Sequence, residues 1–153
     1  MRKIILAMVS ALFALSLSAT VQAGARGVET LRSAKPFNSV YEQLIKSIKA
    51  SKVGLVAQAC AHCGADSIGK KILGNRVVMV FNPKFAVRML NANIAAGIEA
   101  PLRIYLTEQP DGSTMLSYSK PSNVFAPYKT PALGVMAKEL DVILTRITTE
   151  AVR

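Results

Sequence analysis

Cys60-Ala61-His62-Cys63 places both cysteines and the only histidine of the chain in the four residues 60–63. Thiols and an imidazole are the side chains most often recruited for redox or metal work, and three chemistries fit the spacing. The first is a small disulfide between Cys60 and Cys63. A ring that short removes little chain entropy and would stabilise the fold by about 2 kcal/mol at most. It also requires the backbone to turn at or just after Cys60, because two cysteines of one extended segment cannot bridge. The second is thiol–disulfide exchange, in which the His62 imidazolium would favour the Cys60 thiolate and make the disulfide oxidising. The third is a soft-metal site: Cys60 and Cys63 could offer two thiolates, and His62 an imidazole nitrogen, to Cu(I) or another soft ion. A closed tetrahedral zinc site needs a fourth good ligand, and the adjacent side chains of His62 and Cys63 are expected to face a single ion poorly. Covalent haem is disfavoured, since His62 lies inside the pair instead of following it.

Other chemistry is weakly signalled. No serine motif accompanies the histidine, no glycine loop is built to cradle phosphate and no element carries paired carboxylates, so no catalytic residue is named. Arg103 and Tyr105 alternate along one strand and, with Tyr118 of the next, are candidates to line a ligand groove.

These residues must be positioned by the rest of the chain. It opens with two basic residues, Arg2 and Lys3, an apolar run from Ile4 to Leu15 and Val21-Gln22-Ala23 at a cleavage-like position. That pattern reads as a signal peptide over residues 1–23, ahead of a single domain over residues 24–153 expected in the periplasm. No second apolar run is long enough to span a membrane. Of 19 basic and 9 acidic residues in 153, removing the leader with Arg2 and Lys3 leaves 17 and 9 in 130 residues, a formal charge of +8. The positive charges, Lys46, Lys49, Lys52, Arg76, Lys84 and Arg88 among them, are scattered and aromatic residues make up only 6%. A solvated basic surface accounts for this better than a nucleic-acid interface. An anionic lipid or acidic partner is the sharper alternative.

Val28–Ser33 alternates as a half-buried strand. Ser39 and Glu42 have capping-box spacing, which predicts a helix over about 40–51 with Val40, Leu44, Ile45 and Ile48 inward. Residues 54–60 form a strand that delivers the cysteine motif, and Gly64, Gly69 and Gly74 then suggest a loop with one helical turn. Arg76–Phe81 is a strand so continuously apolar that both faces are expected to be covered. Asn82-Pro83 caps a short helix carrying Phe85, Val87, Met89 and Leu90, and residues 91–100 read as a loop. Strands over residues 102–107 and 114–118 flank Gln109-Pro110-Asp111-Gly112 as a hairpin. Pro121, Pro127 and Pro131 predict an extended crossing. The stripe of Leu133, Met136, Leu140, Ile143, Leu144 and Ile147 predicts a long amphipathic closing helix.

Asn82-Pro83, the run from Ala96 through Tyr105 (Ala-Gly-Ile-Glu-Ala-Pro-Leu-Arg-Ile-Tyr), Asp111-Gly112, Leu116-Ser117-Tyr118 and Pro121 together resemble the bacterial family called domain of unknown function 302. The likeness covers roughly Val28 to Ile147. It implies a compact α+β domain with a strand-helix-strand start, a largely antiparallel curved sheet of about five strands, a short middle helix and a long C-terminal helix. This is a TATA-binding-protein-like arrangement that is often a homodimer. No activity or catalytic residue comes with it. The order of elements also allows a thioredoxin-like oxidoreductase, with Ala100-Pro101 as the proline facing the redox pair, an analogy of order alone. The reading that follows is an exported protein that is more a binding or accessory module than an enzyme, whose partner is a small molecule or a protein. It needs no cofactor, and its Cys-x-His-Cys motif is a disulfide or thiol site. A thiol–disulfide oxidoreductase and a soft-metal protein are the alternatives.

Overall fold

Period-two alternation and the turns between alternating segments generate the sheet. The computed structural model describes residues 27–153, so the expected leader over residues 1–23 lies outside the described residues. The chain runs β1 (Val28–Ser33), α1 (Phe37–Lys49), β2 (Gly54–Cys60), α2 (Ala61–Ser67), β3 (Asn75–Phe81) and α3 (Pro83–Ala92). A 3-10 helix over Ile94–Glu99 leads to β4 (Leu102–Glu108), β5 (Thr114–Ser119), α4 (Pro121–Phe125), a 3-10 turn over Ala126–Tyr128 and α5 (Pro131–Val152). The fold is α+β: one five-stranded sheet in the order β1-β5-β4-β3-β2, with every neighbouring pair antiparallel.

One face of that sheet is the core. Val78, Val80, Ile104, Leu106, Leu116 and Tyr118 alternate inward and meet Val40, Leu44 and Ile48 of α1 and Leu133, Met136, Leu140, Leu144 and Ile147 of α5. The opposite face stays more open: Val77 and Met79, expected to be covered, are only half-buried. The apolar run of β3 reflects its central place between β2 and β4, not helices on both sides. Among the described residues no helix is long and apolar enough to cross a membrane.

Several local expectations change for identifiable reasons. The first helix begins at Phe37, three residues early, because Pro36 is its N-cap and the Pro36 carbonyl accepts the first helical bond from Val40 N–H at 3.2 Å. Ser39 and Glu42 therefore lie inside the helix and form no capping box. Pro121 and Pro131 start helices instead of breaking an extended crossing, since a proline at the first helical position gives up no hydrogen bond. The expected loop over 91–100 is largely the end of α3 and the 3-10 helix, whose Asn93 side chain accepts from Ala95 N–H at 3.0 Å.

The hairpin turn forms as expected: Gly112 takes φ +79, and Gly112 N–H donates to the Gln109 carbonyl at 2.9 Å. The Ser113 hydroxyl and amide hold the Asp111 carboxyl below its ordinary range, and Arg32 adds to that from β1. At the head of α3 the Asn82 Oδ1 accepts from Lys84 N–H at 2.7 Å. Asn82→Ala should therefore lower the unfolding free energy by about 1 kcal/mol in urea titrations, and an unchanged midpoint would show that the cap is dispensable.

Candidate functional site

Antiparallel pairing of the edge strand β2 with β3 brings Cys60 opposite Arg76, on the face that also carries Val78 and Val80. Cys60 ends β2 and is the N-cap of α2, with an extended backbone at φ −108 and ψ 94. The Cys63 N–H donates to the Cys60 Sγ at 3.3 Å, so the sulfur does what a serine oxygen does in an ordinary cap. The required turn after Cys60 is thus the first turn of a helix. The two cysteines are joined as a disulfide, their Cα atoms 5.3 Å apart.

The glycines after the motif do not break α2 in the way their number suggests. Gly64 lies within the helix, where an added Cβ would meet nothing within 4 Å. Gly69, at φ +69, ends it: Gly69 N–H donates to the Asp66 carbonyl at 3.1 Å and Lys70 N–H to the Ala65 carbonyl at 2.9 Å, a Schellman closure. Gly74 instead lets the Phe37 ring approach, because a Cβ there would stand 2.7 Å from the ring's Cγ. No residue of α2 is buried, so the disulfide braces a surface turn and not the core.

Around the sulfurs the groups are cationic or polarisable. Arg76 Nη2 donates to Cys60 Sγ at 3.4 Å and to Cys63 Sγ at 3.7 Å. The guanidinium lies over the Tyr41 ring, 4.1 Å from its centroid, and the Tyr41 hydroxyl donates to Gln58 Oε1 at 2.7 Å. The buried Arg76 Nε finds no hydrogen-bond partner among the described residues, a cost accepted where the guanidinium is held against sulfur and ring. The His62 and Phe37 rings meet in a T-shaped pair, 5.4 Å between centroids. Its Nδ1 is 3.0 Å from both the backbone N–H and the carbonyl of Asn75, so either tautomer has a partner. Both ring nitrogens are 3.5 Å from Cys60 Sγ, which lies against the imidazole, and Nε2 is 3.7 Å from Cys63 Sγ. With the two sulfurs joined, the ligand atoms of Cys60, His62 and Cys63 all lie within 4.8 Å of one another. Arg76, Tyr41 and Phe37 were not signalled as site residues. Arg76 was legible in principle, since it is a charge in phase with the buried Val78 and Val80.

The groove expected from Arg103, Tyr105 and Tyr118 does not form. Tyr118 pairs with Ile104 on the core face, is 5% exposed and shares a hydrogen bond with Thr145 of α5 at 3.2 Å. Arg103 and Tyr105 are one residue out of phase with Ile104 and point to the open face, where Tyr105 is 39% exposed. A thioredoxin-like arrangement is also absent. The motif leaves an edge strand of an all-antiparallel sheet, and Pro101 precedes Leu102, which pairs with Val80, four residues along β3 from Arg76. That puts Pro101, one residue further out, about 17 Å along the sheet from the disulfide, too far to face it.

Over residues 29–151 the chain matches the family described as Domain of unknown function DUF302. Its fold is similar to the crystal structure of an uncharacterized conserved DUF302 protein from Bacillus stearothermophilus, with 23% sequence identity, a TM-score of 0.74 and coverage of 84% of this chain and 100% of that one. No curated protein matches the chain.

Proposed function

Since the chain belongs to the Domain of unknown function DUF302 family, whose description assigns no activity, we propose from its own side chains that it is an exported accessory protein with an exchangeable thiol–disulfide pair at Cys60 and Cys63. The leader-like residues 1–23 support the compartment, where such a pair meets disulfides and thiols. The observation that carries the reading is the Arg76 guanidinium against both sulfurs, together with the Cys63 N–H on Cys60 Sγ. A cation and an amide aimed at sulfur stabilise the thiolate far more than the bonded sulfur.

Exposure gives the exchange a direction. Cys63 is exposed and Cys60 half-buried, so an incoming thiolate reaches the Cys63 Sγ. The S–S bond breaks, Cys60 leaves as the thiolate beside Arg76, and Cys63 is held in a mixed disulfide with the attacker. A second thiolate then attacks the attacker's sulfur. It releases the external disulfide and the Cys63 thiolate, so that two electrons pass from the external thiols to the protein pair. The better the leaving thiolate is stabilised, the faster the first step.

Arg76→Met keeps bulk and removes the charge. It should make the reduction potential more negative by about 30 mV, the equivalent of roughly 1.4 kcal/mol lost from the reduced form. The check is equilibration of the folded protein in dithiothreitol and glutathione buffers with a count of free thiols. A wild-type potential below about −300 mV, or one that Arg76→Met leaves unchanged, would identify a structural staple and overturn the proposal.

A further inference from the structure

We infer that the reduced motif is a low-coordinate Cu(I) site made by Cys60, His62 and Cys63, with Arg76 balancing its charge. This rests on the exchangeable pair proposed above, because the disulfide itself has no thiolate to give. Imidazole nitrogen and thiolate sulfur bind borderline and soft ions at about 2.0 and 2.3 Å, so at trigonal angles the two donors stand about 3.7 Å apart. His62 Nε2 is already 3.5 Å from Cys60 Sγ and 3.7 Å from Cys63 Sγ. Two edges of the donor triangle are therefore in place before any metal arrives, and only the sulfur–sulfur edge must open on reduction.

The tautomer this requires is available. When Nδ1–H donates to the Asn75 carbonyl at 3.0 Å, Nε2 is left unprotonated and able to bind a metal. An outer hydrogen bond of this kind is what orients and strengthens metal-binding imidazoles. The Phe37 ring packs T-shaped against the imidazole, its centroid 5.4 Å away.

Donor number and charge choose the ion. The chain holds no other cysteine or histidine, and among the described residues this is the one group of three such donors. Zinc in a closed site asks for a fourth ligand, whereas soft thiolates and one imidazole suit Cu(I). Two thiolates with Cu(I) carry a net charge of −1, which the Arg76 guanidinium neutralises. With a divalent ion the same four groups would total +1, in a part-buried place with no carboxylate assigned to it. In the binding step Cys60–SH, Cys63–SH and Cu(I) give the copper bis-thiolate and release two protons. The reductant that first opens the disulfide is an external thiol or a phosphine.

The test uses the full exported chain, reduced by a phosphine under argon, freed of reductant and titrated for thiols before Cu(I) is offered as its bis-bicinchoninate complex. The expected result is two free thiols, withdrawal of one Cu(I) per chain with loss of chelator colour, and a new ultraviolet thiolate-to-copper band. His62→Ala should weaken binding about tenfold or more, and Cys63→Ser should abolish it while circular dichroism stays native. Two free thiols with no Cu(I) withdrawn would overturn the site alone. Equal uptake by His62→Ala would also overturn it, by removing the histidine from the ligand set. A pair that stays bonded in the phosphine would overturn the exchange reading and this one with it.

Discussion

Leu144→Ala is expected to lower the unfolding free energy by about 3 kcal/mol, roughly a hundredfold in the folding equilibrium. Leu144 is 0% exposed and lies mid-stripe on α5, in the cluster where α5 meets α1 and the inward side chains of β3, β4 and β5. Removing its outer carbons forfeits their transfer energy and leaves a cavity that rigid neighbours on the sheet cannot close. Helix propensity does not cause the loss, because alanine is the better helix former. Urea unfolding followed by circular dichroism reads it as a lowered midpoint at unchanged slope. A loss under 1 kcal/mol would mean that the α1–α5–sheet core repacks freely.

Gly74→Ala should cost about 2 kcal/mol and disturb the cysteine site as well. The added Cβ would stand 2.7 Å from Phe37 Cγ and 2.9 Å from both Cδ atoms, closer than real carbon contacts come. Neither side yields easily. Phe37 is 5% exposed in the core, while Gly74 is tied to β4 by its N–H donating to Glu108 Oε2 at 2.8 Å and its carbonyl accepting Glu108 N–H at 2.7 Å. The φ of Gly74 lies outside the left-handed region, so the penalty is steric and not conformational. Because the Phe37 ring packs against His62, the ring resonances of that single histidine should shift on substitution, and nuclear magnetic resonance reads them directly. Gly64→Ala is the control: nothing stands within 4 Å, and replacing a helical glycine should leave stability equal or raise it by about 0.5–1 kcal/mol. Matching losses at the two positions would refute the role given to Phe37.

The three glycines after the motif show where local reading stops. Counted together they look like a loop, but Gly69 stops a helix, Gly64 is tolerated inside one and Gly74 makes room for a ring. Only Gly69 has a cause within a few residues, the Schellman bonds from Gly69 and Lys70. The cause at Gly74 is Phe37, thirty-seven residues away in the chain. Segments with internal causes were legible: the alternation of β4, the Pro-Asp-Gly turn into β5, the Asn82-Pro83 start of α3 and the stripe of α5. The family was legible as well, since short motifs in fixed order carry it, and the match over residues 29–151 bears it out. The capping-box reading of Ser39 and Glu42 failed because the Pro36 carbonyl had already started the helix.

By itself the sequence determined which segments alternate and turn, and that two thiols and one imidazole share a single short stretch; these are properties of neighbours along the chain. Tertiary structure decided the rest. Sheet order made β2 an edge strand, so the motif lies at the margin of the domain and not over its centre. Strand register put Arg76 opposite Cys60, and a shift of one residue would have turned its guanidinium to the open face. The same register buried Tyr118 against α5 and sent Arg103 and Tyr105 to the other side. Pairing of strands is settled by which faces can be buried together, a property of the whole sheet and its helices. The cation beside the sulfurs is therefore a product of the fold, although every residue that forms the site was present in the sequence.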